Sequence, residues 1–256
     1  MRRLVSDTLV IAERNLVRLP RSPDLLVAFT IQPIMFVLLF RYVFGGAIHT
    51  TYGNYADFLI PGIIVQNIAF GGFVTALGLE EDLRKGLIDR FRSLPMSRAA
   101  VLAGRTLADI VTNTFSMLVL LVTGLIIGFA FNTTVLEAIA GVLLLIAFGY
   151  AFSWVFAFLG MIVSSPESAN SLGFIAVFPL TFISSAFVPT QTFPAVLRGF
   201  AKVNPFTIVV NAVRYLWEHG QGVGVSNVWF ALAWTAGILI VFAPIAVWRY
   251  RRAAVR

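Results

Sequence analysis

The chain has 256 residues, of which 59% are hydrophobic and 12% charged, about half the ~25% charged share of soluble domains. That scarcity excludes a soluble globular chain, a disordered chain and a fibrous one, and leaves a polytopic membrane protein. The absence of Cys excludes disulfide frameworks, thiolate metal sites and thiol redox chemistry, and the net charge of +7 informs chiefly through its placement.

Residues 1–22 come first. Leu4, Leu9, Ala12, Leu16 and Leu19 recur at roughly helical spacing with arginines between them, and Pro20 ends the run. The pattern predicts an amphipathic helix on the inner leaflet, its arginines toward anionic headgroups and membrane lipids as its partner. Six apolar stretches then reach the ~20 residues that a helix needs to cross the hydrocarbon core. They run from Leu25 to Phe44, Phe58 to Leu79, Leu107 to Phe131, Val135 to Val163, Ser171 to Val188 and Val228 to Trp248. The first begins too late and runs too long for a signal peptide, so it reads as a retained span. The expected fold is an all-α membrane protein of six transmembrane helices. Fifteen of the 19 basic residues fall on one side of these spans, before the first, between the second and third, and after the sixth. The other side holds Arg41, Arg198, Lys202 and Arg214. This excess places both termini in the cytoplasm.

The stretch between spans two and three is the most polar. Glu80, Glu81 and Asp82 precede a helical pattern, where acidic groups suit the positive end of a helix dipole. Leu83, Leu87, Phe91 and Leu94 then share one face, Arg84, Lys85, Arg90 and Arg92 lie between them, and Pro95 stops the run. A plain loop needs no apolar stripe. Residues 80–96 therefore read as a short helix docked either on this protein's own bundle or on a partner. On the opposite side, residues 189–220 are too apolar for a flexible loop and too broken for a span. After Asn204 and Pro205, an apolar side forms from Phe206, Val209, Val210, Val213, Leu216 and Trp217, with Asn211, Arg214 and Glu218 opposite and Gly220 at the end. This predicts one or two short helices that dip into the outer leaflet or cap the bundle.

Much chemistry is missing. Neither Lys85 nor Lys202 follows a Gly, so no phosphate-binding loop exists. His49 and His219 have no ligand-spaced neighbours, so no metal site is expected. Gly224-Val225-Ser226 lacks the closing Gly of a serine nucleophile motif, so no catalytic residue is expected. No nucleic-acid partner is expected either. Arg41, Asp57, Asp109 and Glu137 lie near span ends, leaving no ionisable group at mid-depth for an ion-driven mechanism. The deeper polar residues are neutral: Gln32, Gln66, Asn67, Asn113, Thr114, Ser153, Ser184 and Ser185. Gln66 and Asn67, followed by Phe70, Gly71, Gly72 and Phe73, form either a wall that repacks around an amphipathic molecule or plain helix-packing contacts. Gly124 and Gly128 make a GxxxG pair, a weak packing signal. The chain thus looks built to move or hold something without an energy source of its own.

The run from Glu80 to Arg98, followed by Gly104, Arg105 and Asp109, resembles the signature region of type-2 ABC exporter permeases. The run Ser184 to Pro189, with Phe193-Pro194, Asn204 to Thr207 and Ala212-Val213-Arg214, is similar to the daunorubicin-resistance branch of that family, as are Arg21 to Pro23, Gln32-Pro33 and Phe44-Gly45. The resemblance covers nearly the whole chain and implies a single permease domain over residues 1–256, working as a homodimer or pseudo-dimer above separate cytosolic ATPase subunits. Those subunits would bind ATP and Mg; this chain would carry no cofactor and no enzymatic activity. Residues 80–96 would be the coupling helix, with Glu80, Glu81, Asp82, Leu83, Arg84, Leu87, Arg90, Phe91, Leu94 and Pro95 toward the ATPase. Residues 189–220 would be re-entrant outer helices, with Phe187, Pro189, Phe193, Asn204 and Pro205 at the outer gate. Spans one, two and five would line the path, where Gln66, Asn67, Phe70, Phe182, Ser184 and Ser185 are the candidates.

The expected function is ATP-driven export of a hydrophobic or amphipathic compound, such as a drug, lipid or polyketide, out of the cytoplasm or inner leaflet of a bacterial inner membrane. The alternatives are export of a polysaccharide or glycolipid by the same architecture, a secondary transporter driven by an ion gradient, and a non-transporting scaffold or intramembrane enzyme.

Overall fold

The computed structural model describes residues 2–18, 23–48, 50, 52, 54–85, 98–163, 165–219 and 223–253. Among them there is no strand. The α-helices in chain order are α1 (Arg2–Arg18), α2 (Pro23–Leu38), α3 (Tyr55–Arg84), α4 (Arg98–Ile126), α5 (Val135–Gly160), α6 (Pro166–Phe182), α7 (Ala195–Val203), α8 (Pro205–Glu218) and α9 (Ser226–Ala253). A π-helical stretch, Leu39–Phe44, prolongs α2, and a 3-10 turn, Thr190–Thr192, precedes α7. Four helices are long and apolar enough to cross a membrane: α3, α4 from Ala100, α5, and α9 as far as Tyr250. The runs predicted as spans one and five form shorter helices, α2 and α6.

α3 is the axis of the bundle, packed against α4, α5, α6 and α8. Asn54 caps its start by accepting from the Ala56 amide. Its course corrects the sequence reading. The helix does not end at Leu79 but continues to Arg84, so Glu80, Glu81 and Asp82 occupy its last turns rather than the start of a new helix. Acidic groups are disfavoured at that negative end of the dipole. Here they are matched by cations: Arg14 and Arg105 pair with Asp82, Arg84 lies 3.9 Å from Glu80, and Lys85 bonds Glu81.

α4 begins at Arg98 rather than Leu107, which puts Asp109 about three turns inside the helix rather than at its end. There it accepts a hydrogen bond from Thr75 Oγ1 of α3. Gly128 has a left-handed φ of 102° beyond the end of α4, so Gly124 and Gly128 are not a pair on one helix face. α5 starts at a capping box of Thr134 and Glu137, close to the predicted boundary. α6 runs from Pro166 rather than Ser171 and stops at Phe182, six residues short of prediction, leaving 183–189 irregular. α1 lies along α4, burying Ile11 and Ala12 while Leu9 stays exposed, so the buried face is offset from the leucine stripe.

Candidate functional site: a cavity between α2, α3 and α6

A cavity of about 320 Å³ opens between α2, α3 and α6. α2 contributes Gln32, Pro33 and Phe36; α3 contributes Gln66, Asn67, Phe70 and Phe73; α6 contributes Asn170, Phe174, Phe178 and Phe182. Among the described residues no ionisable side chain lines it. Helical spacing explains the grouping, because Gln66, Phe70 and Phe73 share a face of α3, and Asn170, Phe174 and Phe178 share one of α6. Phe70 and Phe73 stack at 5.5 Å and 8°, Phe174 meets both at 5.7 and 5.1 Å, and Phe178 stacks on Phe182 at 4.2 Å. Gln66 is buried, and Asn67 accepts a 2.8 Å bond from Ser116 of α4. Aromatic faces with a few fixed amides suit a neutral or weakly polar compound with aromatic or aliphatic surface.

The aromatic lining continues past the cavity at the Tyr55 end of the bundle. Phe187 stacks on Phe40 at 4.4 Å and lies 5.2 Å from Phe182. It sits on the irregular stretch 183–189, whose backbone groups need partners inside an apolar bundle. α8 supplies them. Asn204, Thr207, Asn211 and Arg214 recur at helical spacing along one face. Asn204 Nδ2 donates to the carbonyls of Leu180 (2.7 Å) and Ile183 (2.8 Å). Thr207 Oγ1 accepts from the Ser185 amide, and Asn211 accepts from the Ser185 hydroxyl at 3.0 Å. Arg214 donates from Nη2 to the carbonyls of Ser185 (2.8 Å) and Phe58 (2.5 Å). Ser184 Oγ donates to Thr181 O and accepts from the Ala186 amide, and Tyr55 OH donates to Phe187 O. The polar face of α8 is therefore turned inward, not toward solvent: Arg214 is 1% exposed.

At the rim beyond α8, Asn132 Nδ2 donates to Glu218 at 2.8 Å and His219 lies 3.3 Å from Glu137. Burial pushes the Glu218 carboxyl up to about 7, the Asn132 bond opposing and nearby Asp57 reinforcing the shift. Burial also pushes the Tyr52 phenol up, against the field of Arg214.

At the Arg84 end of α3, Asp82 lies between Arg14 of α1 (3.3 Å) and Arg105 of α4 (3.1 Å), and Arg105 also donates to Val74 O at 3.2 Å. Glu80 is buried as well. Glu81 and Leu83 are half-buried and Arg84 is exposed. Leu87, Arg90, Phe91, Leu94 and Pro95 lie outside the described residues.

Of the residues singled out from sequence, Gln66, Asn67, Phe70 and Phe182 meet in one cavity. Ser184 and Ser185 do not line it; they are buried in the bonding of the irregular stretch. Phe187 lies in the irregular stretch that Asn204 bonds, Pro189 and Phe193 flank the 3-10 turn, and Pro205 is the first residue of α8. Sequence reasoning missed the inward role of Thr207, Asn211 and Arg214. The available signal was the 204, 207, 211, 214 spacing directly after a run that ends in Pro. Among the described residues no group of three His, Asp or Glu side chains is placed to hold a metal.

Residues 6–217 match the family described as ABC-2 type transporter. The chain is 34% identical over 247 residues to the daunorubicin resistance ABC transporter permease protein DrrB1 of Streptomyces coeruleorubidus, covering 96% of this chain and 87% of that one. It is 26% identical over 255 residues to the probable doxorubicin resistance ABC transporter permease protein DrrC of Mycobacterium tuberculosis, covering 99% and 91%. It is also 25% identical over 224 residues to the putative transport permease ycf38 of Cyanophora paradoxa, covering 85% and 76%. With a cavity at mid-bundle, apolar helices around it and this match along most of its length, the chain belongs to the ABC-2 type transporter family, as a permease subunit.

Proposed function

We propose that this permease exports a hydrophobic or amphipathic compound of drug, lipid or polyketide type across a bacterial inner membrane, driven by a separate ATPase subunit. The observation that carries the reading is the cavity itself: rings and amides converge there and, among the described residues, no ionisable side chain lines it. The names of two relatives speak of daunorubicin and doxorubicin resistance, and an aromatic lining suits compounds of that hydrophobic kind. The volume of about 320 Å³ favours a compact compound over a polysaccharide chain. The lack of a charged lining disfavours an ion-driven transporter.

In this reading α2 with its π-helical extension, α3, α4, α5, α6 and α9 are the six spans, both termini are cytoplasmic, and α7 and α8 are the re-entrant outer pair. Two copies, or this chain and a similar one, form the path. The partner ATPase supplies the site for ATP and Mg, and the segment from Glu80 to Pro95 couples to it. Glu81, Arg84 and the stretch that follows are the contact points, whereas Glu80 and Asp82 hold the end of α3 in place. Closure of the ATPase pair then moves the bundle as a rigid body between inward- and outward-open states.

The test is uptake of hydrophobic fluorescent compounds into inside-out vesicles holding the permease and a co-purifying ABC ATPase subunit. Uptake should require ATP, persist when the proton gradient is collapsed, and fall at least about tenfold in Phe70→Ala and Asn67→Leu, a loss of about 1.4 kcal/mol. Uptake that follows the proton gradient, or that ignores both substitutions, sinks the proposal.

A further inference from the structure

Arg214 stands where three pieces of chain meet. Its guanidinium is 1% exposed, and among the described residues no carboxylate forms an ion pair with it. A buried cation without a counter-charge is costly unless dipoles surround it. Here Nε and Nη2 donate to Phe58 O at 3.0 and 2.5 Å, and Nη2 also reaches Ser185 O at 2.8 Å and Ala186 O at 3.4 Å. The guanidinium carbon sits 3.6 Å from the Phe58 ring centroid, where a cation is attracted to the ring face.

These contacts divide unequally. α3 holds Arg214 through two bonds to Phe58 O and the ring face. The irregular stretch holds it through one good bond and one long one. The same stretch carries Phe187, which stacks on Phe40 and lies beside Phe182 of the cavity lining. It also lies directly against α3, where a Cβ on Gly62 would come within 2.0 Å of Ala186 O. Among the described residues, Arg214 and the Tyr55 bond to Phe187 O are the side-chain hydrogen bonds that tie the stretch to α3.

We propose that Arg214 is a releasable latch. It is a positioning residue that fastens the Ser185–Ala186 backbone to α3 and so holds Phe187 across the end of the cavity. When the path opens, Arg214 gives up Ser185 and Ala186 and stays on Phe58. The inference rests on the reading of the cavity as the substrate path. It requires Arg and not Lys, because only the planar fork bonds two separate carbonyls while lying flat on a ring. Carbonyl dipoles suit this task, since each bond exchanges without leaving a stranded carboxylate.

The chain has no Cys, so a single reporter thiol is clean. Ser184→Cys, at a position 1% exposed, is placed in the full permease with its ATPase in right-side-out vesicles and treated with a membrane-impermeant maleimide. With Arg214 present, labelling should be slow and should rise when ATP is loaded inside. With Arg214→Lys it should be roughly tenfold faster, as expected for losing a buried charged hydrogen bond, and no longer depend on ATP. Gln191→Cys, on the exposed turn, reports equal labelling in both backgrounds. Unchanged Ser184→Cys labelling, or faster labelling that keeps its full ATP dependence, overturns the latch. If Arg214→Lys does not accumulate in the membrane, Asn211→Ala replaces it. It removes the partner of the Ser185 hydroxyl and keeps the cation, and it should speed labelling by a smaller factor; no change there also overturns the latch. Labelling uses no substrate. A reporter that obeys Arg214 while transport ignores Phe70→Ala and Asn67→Leu refutes the path and leaves the latch standing.

Discussion

At the Arg84 end of α3, the carboxylate of Asp82 lies between the guanidinium groups of Arg14 and Arg105. At the Tyr55 end, the guanidinium of Arg214 bonds carbonyls and an amide oxygen and lies near the Phe58 and Tyr52 rings, with no carboxylate paired to it among the described residues. The difference follows from the backbone. Around Asp82 the helices are intact, their amides are mostly spent on their own carbonyls, and a buried carboxylate needs a cation. Around Arg214 the chain is irregular between α6 and the 3-10 turn, so carbonyls are free and the cation completes them. One end is therefore an electrostatic joint between helices, and the other is a repair of missing helix bonds. Ion pairs resist separation over several ångströms, whereas hydrogen bonds to carbonyls are lost within one.

The sharpest way to break this contrast is Arg105→Met, which removes one of the two cations facing Asp82. Breaking a buried pair from one side costs about 3–5 kcal/mol, and thermal unfolding of the purified permease in detergent should show it. The double variant Asp82→Asn with Arg105→Met should recover much of the loss, and additive losses would show that the two ends do not differ in kind. Next is Asn204→Ala, which strands the carbonyls of Leu180 and Ile183. It should cost about 1–3 kcal/mol in the same assay, with no dependence on salt. Arg14→Gln comes third. Its side chain is 40% exposed, so the loss should be about 0–1 kcal/mol and shrink further in high salt. A loss as large as that of Arg105→Met would show that α1, not α4, holds the joint.

The smallest effect concerns Glu218. Its carboxyl is raised from 4.5 to about 7, so the folded chain binds this proton more tightly than the unfolded one. The stability it contributes is complete below 4.5 and is lost as pH rises through about 7. Unfolding temperatures measured between about pH 5 and 8 should decline with pH in the parent and decline less in Glu218→Gln. The neighbouring His219–Glu137 pair is present in both chains, so their difference isolates Glu218. Parallel profiles would remove Glu218 from the account.

The long apolar helices were legible because ~20 apolar residues in a row have few other uses. Their ends were less so. α3 outruns its predicted end because its acidic residues find arginines 68 and 23 positions away, a match that no local pattern displays. α6 falls short because side chains of α8 accept the cost of its unwound end. The grouping of Gln66, Asn67 and Phe70 was visible as a polar pair beside aromatics, and Phe182 entered only through the family resemblance; which helices would face each other was not visible. The inward turn of Arg214 was not legible, because amphipathic periodicity shows only that polar residues share a face. It does not tell whether that face meets water or unpaired backbone.

α3 has 30 residues, hence a length of about 45 Å. Its one internal proline, Pro61, lies near the Tyr55 end. Everything beyond that proline is an unbroken rod from the cavity wall to Arg84. Such a rod is a lever. A tilt of about 5° about the Arg84 end moves the Pro61 end of that rod, about 35 Å away, by about 3 Å, enough to break a hydrogen bond to a carbonyl. Mechanical advantage, rather than a relay of individual contacts, lets a modest push at one end undo a fastening at the other.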